Sequence, residues 1–496
     1  MARAESNPAS GRIRSVPLKH RVDVLSADEV RKVHEGALAV LERVGVGFTS
    51  ERFLKSLAEA GARVDFDAKR VWFPPELVEE KRKLAPESFL LAGRDPGCDL
   101  PLEGRRGYLS TDGCPAEIVD LDSGERRYST KDDLAQVTRI ADALPEIAFH
   151  WQPVSANDTP TLVRPIHETQ VQLANTDKHI QQMTAIDAFN ARGIVEMARV
   201  IAGGENELRA RPVISNFQCS LSPLAWDEGP LEAMEIFAEA GVPVGICSMP
   251  IACATGPATA AGILTMATAE ILSGVVALET INPGAATFFI SFATTMDLNS
   301  GAMNLGWGAD DLFIEMASVQ VARHLGLPSQ GGTFATGAKR PDWQAGVQNA
   351  LSCITSVLSP SDMLAGAGSV YDASVYSLEN LLLDAEIFDL LCRWVEGASF
   401  DDEHLGIEAI EAVGPGGHFL ASRHTLDYMR EFWIPKYFNR DSWEDWVAAG
   451  KPDPIERARA EVRRILAEHE PAPLADDVRG ELDRIVLAYE REATEG

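Results

Sequence analysis

The sequence predicts an α/β protein, a TIM (β/α)8 barrel with N-terminal and C-terminal helical additions, and three observations carry that prediction. Short β-like runs alternate with helical patterns through the middle of the chain, as parallel strands joined by helical crossovers do. There are eight such runs, the number of strands that closes a barrel. A chain of 496 residues exceeds one ordinary compact core, and a single barrel with additions absorbs most of it.

Residues 1–24 are polar and basic without an apolar stretch, which predicts a flexible N-terminal tail and no signal peptide. Residues 25–105 read as an N-terminal helical region. Ser26 and Glu29 form a capping box ahead of Val30, Val33, Ala37, Val40, Leu41 and Val44, and Gly45 ends that helix. Further helical patterns follow at 50–61 and 73–84. The barrel, the catalytic domain, spans 106–400, with strands expected at 107–112, 147–153, 178–184, 211–217, 242–248, 285–291, 327–333 and 362–367. Helices are expected between them at 131–143, 187–201, 229–240, 257–275, 309–325 and 341–358. The last opens with Pro341 at a first helical position and turns Trp343, Val347 and Leu351 inward. After 400 the rhythm stops, and 401–496 reads as a C-terminal helical extension packed on the barrel.

Composition narrows the function. At 45% hydrophobic and 24% charged residues the chain can bury a core. Its formal charge of −29 argues against a broad basic face for nucleic acid. The seven cysteines are scattered without a C-x-x-C pair, so neither a disulfide scaffold nor a zinc cluster is indicated, and a cytoplasmic location is expected. The apolar run 256–278 contains Pro257 and Glu270 and reads as a buried helix rather than a membrane span.

In a barrel of this class the chemistry sits where strands end and loops begin. The stretch GGTFATGAKRPD (331–342) is such a junction, placing Thr333, Phe334, Lys339 and Arg340 at the mouth. Other strand ends supply Asp112, Trp151, Gln182, Asn216, Phe292 and Tyr371. Each has a plainer role open to it: Trp151 or Phe334 as barrel filling, Asp112 as a turn residue before Gly113, Lys339 as a solvated rim cation. No metal-ligand cluster, G-x-S-x-G elbow or Walker-type loop is present.

The run GGTFATGAKRPDWQAGVQNAL, the block EAVGPGGHFLASRHT followed by FWIPKYFNRDSWEDWVAAGKPDPIERA, and the N-terminal LSADEVRKVHEGALAVLERVGV resemble the trimethylamine:corrinoid methyltransferase family. The resemblance covers about residues 25–490, with its blocks in order. It implies an enzyme that moves a methyl group from a methylated amine to the cobalt of a separate, cognate corrinoid protein. The corrinoid (cobalamin) would belong to that partner, with none bound permanently here and no metal in this subunit. Founding members carry pyrrolysine near the segment corresponding to Thr333–Thr336, where this chain has ordinary residues. It therefore resembles the non-pyrrolysine branch, which demethylates quaternary amines such as glycine betaine.

For such a donor the resemblance implies aromatic faces from Trp151, Phe292, Phe334 and Tyr371, and a carboxylate from Asp112. A substrate carboxylate would fall to Lys339 or Arg340 with Gln182 or Asn216. Gly416, Gly417 and His418 of the GPGGHFL word would help form the corrinoid partner's platform over the mouth. The expected partners are the corrinoid protein and a small cationic methylated substrate, with no nucleic acid and no membrane, in a homo-oligomer. Two alternatives stay open: methyl transfer from a sulfonium such as dimethylsulfoniopropionate, and a non-catalytic barrel that binds a quaternary ammonium ligand.

Overall fold

Eight short runs, from the apolar Ile147–Trp151 to the polar His179–Gln182 and Ser329–Gly332, form one closed parallel sheet whose strands are largely buried. In the computed structural model, which describes residues 12–113, 115–332, 334–359 and 361–495, they are β1 (Arg106–Thr111), β2 (Ile147–Trp151), β3 (His179–Gln182), β4 (Ile214–Cys219), β5 (Val244–Ser248), β6 (Thr287–Ser291), β7 (Ser329–Gly332) and β8 (Met363–Ala367). Each pairs in parallel with the next, and β8 returns to β1 through Leu364 opposite Leu109, which closes the barrel.

A helix follows each strand. These are α1 (Lys131–Ala143), α2 (Arg164–Ala174), α3 (Ala188–Ala202), α4 (Glu228–Glu239), α5 (Ala260–Ile281), α6 (Ala309–His324), α7 (Trp343–Leu358) and α8 (Leu378–Glu396). Among the described residues one helix, α5, is long and apolar enough to cross a membrane, but 83% of its most apolar window is buried inside the protein. The N-terminal helix Ala27–Arg43, with both halves of its capping box formed, packs against it.

The N-terminal region departs from the all-helical expectation. Strands Val46–Phe48, Arg63–Asp65 and Arg70–Trp72 join Ala225–Trp226 in a small four-stranded sheet. Three-residue strands are too short to show a period of two, so the pattern gave no warning of them. A second hairpin, Phe89–Leu91 with Leu100–Leu102, closes the barrel floor: Leu91, Leu100 and Leu102 are buried among Tyr108, Phe149 and Phe288.

Residues 12–24 are likewise not a loose tail. Val16–Pro17 adds an antiparallel strand to β1, and Val16 is buried. Arg12 pairs with Asp95 at 2.7 Å and with Asp177 at 3.1 Å. Residues 1–11 lie outside the described residues.

At the other end, helix Pro454–Glu468 packs on α8 and α1, while Asp476–Glu495 packs on α3 and α2. Between α8 and these helices the chain forms short helices at 402–405, 407–413, 423–428 and 443–448, none of which buries a side chain. The start of α7 also differs from expectation. Asp342 is its N-cap, accepting from the amides of Gln344 and Ala345, so Pro341 lies before the helix. Trp343 is 86% exposed, and Val347 and Leu351 turn outward into a groove shared with α8, whereas Asn349, Ser352, Cys353 and Ser356 face in.

Candidate active site

The carboxyl ends of the strands surround a partly open cavity of about 140 Å³. Trp151, the last residue of β2, is buried and lies flat on Phe292, with ring centroids 5.6 Å apart and planes 7° from parallel. Phe217 meets the same indole edge-on at 5.3 Å. Met183, Met249, Leu305, Leu312 and Phe334 complete an apolar wall. Stacked aromatic faces carry negative charge above and below the ring, so this wall suits a cation without being charged itself.

Two glycines make the wall possible. A Cβ on Gly113 would stand 1.9 Å from the Trp151 ring, so only glycine lets the chain after β1 pass beneath the indole. Gly366 in β8 holds a φ of +127°, and a Cβ there would lie 2.3 Å from the Phe334 carbonyl oxygen.

Three carboxyl groups face this wall: Asp112, Asp311 and Glu315. Asp112 follows β1 and accepts from the Gly113 amide at 2.8 Å; burial pushes its carboxyl up to about 6, against bonds from Ser369 and Gly113 that pull it down. Glu315 projects from the second turn of α6 and accepts the Gly332 amide at 2.7 Å; burial pushes it up to about 8. Asp311, one turn earlier, accepts the Thr295 amide at 2.7 Å and the Thr294 hydroxyl at 3.0 Å, and burial also raises it. In each case burial without a paired cation among the described residues favours the neutral form.

The structure thus brings Asp112, Trp151, Phe292 and Phe334 together in one cavity, as the strand-end reasoning expected. Thr333 lies outside the described residues. Gln182 and Asn216 are not in the cavity wall. Gln182 donates to the Thr184 hydroxyl of its own segment at 2.7 Å, and Asn216 donates to the Gln182 carbonyl at 2.9 Å, which ties β4 to β3. Tyr371, Lys339 and Arg340 stand on the rim instead. The Lys339 ammonium donates to the Gly337 carbonyl and lies 4.0 Å above the Tyr371 ring, and the Arg340 side chain is 81% exposed. Tyr371, Asp372 and Ala373 all hold positive φ, a strained turn secured by amides of Tyr371 and Asp372 donating to Ala338 and Thr336 carbonyls.

Gly416, Gly417 and His418 do not overlook the mouth. The helix α8 leaves the mouth at Leu378 and ends at Glu396, beside Arg14, whose amide bonds Pro145 just before β2 begins. Nineteen helical residues span about 28 Å. The segment holding GPGGHFL is tied to this far end, where the Arg393 guanidinium donates to the Glu431 carbonyl. A glycine-rich turn read without its anchoring helix gives no clue to which end of a barrel it decorates.

Glu315 and Asp311 escape strand-end reasoning because they come from the first turns of the helix after β6. The available signal was an acidic pair spaced i, i+4 on a helix whose same face carries Ser318.

A family model described as trimethylamine methyltransferase (MTTB) matches residues 2–494. The chain is similar to a glycine betaine methyltransferase of Desulfitobacterium hafniense (strain Y51), with 32% identity over 96% of this chain and 98% of that one. It is 33% identical to the trimethylamine methyltransferase MttB of Desulfitobacterium hafniense (strain DSM 10664 / DCB-2), over 94% of each. Among solved structures, the Methanosarcina barkeri monomethylamine methyltransferase MtmB superposes with a TM-score of 0.52 at 12% identity, covering 91% of this chain and 90% of that one; that likeness is one of fold.

Proposed function

The chain belongs to the trimethylamine methyltransferase family, and from that premise we propose that it takes a methyl group from a small quaternary ammonium donor and delivers it to the cobalt of a separate corrinoid protein. The observation that carries this reading is the flat Trp151–Phe292 pair lining, together with three carboxyl groups, one cavity at the carboxyl end of the barrel. Aromatic faces and buried carboxylates together select a permanent, weakly hydrated cation.

A quaternary nitrogen is already a leaving group. Attack by Co(I) on the methyl carbon breaks the C–N bond, the bonding pair stays on nitrogen, and a neutral tertiary amine departs. No covalent activation of the amine is required, which accords with ordinary residues at Phe334–Thr336. What remains for this chain is orientation. Trp151, Phe292 and Phe334 would fix the ammonium so that one methyl points out of the cavity, a proximity effect worth several kcal/mol or more. The low polarity of Met183, Met249 and Leu312 would keep water from the donor.

The relative named for glycine betaine supports a quaternary donor. The experiment mixes the purified protein with reduced cobalamin and, in turn, choline, tetramethylammonium, glycine betaine, dimethylsulfoniopropionate and trimethylamine, and follows methylation of the cobalt by absorbance. Turnover with a quaternary ammonium and none with trimethylamine is expected. Turnover with the sulfonium alone would replace the donor class, and failure of every donor even with the cognate corrinoid protein supplied would overturn the reading.

A further inference from the structure

The polar inventory of the cavity is one-sided. Every charged side chain that lines it among the described residues is a carboxylate: Asp112, Asp311 and Glu315. The two basic residues of the loop after β7 stay outside, Lys339 committed to the Gly337 carbonyl and Arg340 exposed beside Asp342.

Among the described residues, neutral donors of the lining are committed as well. The Gly113 amide serves Asp112, and the Gly332 amide serves Glu315. The Ser352 and Thr355 hydroxyls donate to carbonyls of their own helix, and Ser369 bonds Asp112. An anionic group brought into this space would lose its hydration, oppose the ionisation of three carboxyl groups and find the amide and hydroxyl donors named here already spent.

We infer that the donor taken by this cavity carries no carboxylate: it is a small quaternary ammonium whose remaining substituent is uncharged, of the tetramethylammonium or choline kind, with Glu315 as its counter-ion. This rests on the quaternary-ammonium reading above and narrows it. The three carboxyl groups are held toward neutrality by burial when alone, and a fixed positive charge among them restores their ionised form. Glu315 is suited to be the counter-ion because, among the described residues, the Gly332 amide bonds one of its carboxyl oxygens and leaves the second to meet a ligand.

The opposite arrangement is chemically specific. A protonated Glu315 could donate to a substrate carboxylate, in which case a betaine would bind best and glutamine, which keeps a donor, would replace it without loss. The two arrangements separate in one titration.

The full chain is titrated calorimetrically with tetramethylammonium, choline, glycine betaine and 3,3-dimethylbutan-1-ol, the uncharged carbon analogue of choline. Choline and tetramethylammonium are expected to bind at least about tenfold more tightly than glycine betaine and than the carbon analogue. Glu315→Gln is expected to lose about tenfold in choline affinity with an unchanged melting temperature. Glycine betaine binding as tightly as choline, or Glu315→Gln binding choline like the parent, would overturn this inference while leaving the quaternary-ammonium reading intact. Failure of every quaternary cation to bind would instead remove that reading. Should Glu315→Gln not fold, the ranking of ligands on the parent protein decides alone.

Discussion

Glu315 shows how much a single side chain depends on what stands around it. An ordinary glutamate is ionised well below neutrality, but burial pushes this one up to about 8, so at pH 7 it is mostly protonated. The other titratable groups that line the cavity are Asp112 from the end of β1, pushed up to about 6, and Asp311 from the same helix, raised by burial, while Cys247 of β5, which feels Glu315, has its thiol raised by burial. Glu315 itself titrates near the top of the pH 6 to 8 range. A quaternary cation favours the ionised form, so its affinity is expected to rise by up to about tenfold per pH unit from about pH 6 and to level off above about pH 8. Calorimetric titration across that range checks this, and a flat profile would contradict it. Stability runs the other way. The folded carboxyl holds its proton more tightly than the unfolded one, so its contribution is complete below about pH 4.5 and is lost as pH rises through about 8.

At the scale of elements, the sequence made most of the barrel legible because short buried strands, several of them apolar runs, alternate with helical patterns. Expected strand 147–153 becomes Ile147–Trp151, and expected helix 131–143 is Lys131–Ala143. Where the reading slipped, a competing force decided. The stripe Trp343, Val347, Leu351 looked like an inner face, yet α7 turns Asn349, Ser352 and Cys353 inward, because Asn349 must reach Asp384 on α8 at 2.7 Å. The site was half legible for the same kind of reason. Strand ends gave Asp112, Trp151, Phe292 and Phe334, whereas the side chains borrowed from α6 required the fold itself. Loops were the least legible: Lys339 and Arg340 look like ligand-binding residues until the loop curls back on Tyr371. Arg340→Ala is accordingly expected to leave choline affinity within about twofold, since an exposed charge contributes little. A tenfold or larger loss in the same titration would restore this arginine to the donor site.

On the scale of the whole molecule, buried surface is distributed unevenly. Barrel helices and the C-terminal pair Pro454–Glu468 and Asp476–Glu495 share the core, while the helices between 402 and 448 bury no side chain. Phe400, Leu420 and Phe432 are exposed along that excursion. Short helices without a buried face are marginal by themselves. Limited proteolysis of the native protein is therefore expected to cut first within residues 402–448 and to leave a barrel fragment that still binds choline. Mass spectrometry of the first fragments checks the position, and initial cuts within the barrel would contradict it.

The hairpin Phe89–Leu91 and Leu100–Leu102 gives the barrel a sealed end, with Leu91, Leu100 and Leu102 filling the space beneath Phe149 and Phe288. A vessel with one opening imposes a queue. On the proposed function, a donor would have to be seated before a corrinoid partner covered the mouth, and the demethylated amine behind it would stay trapped until that partner withdrew. Traffic at the doorway, rather than the bond being broken, would then set the tempo of repeated turnover.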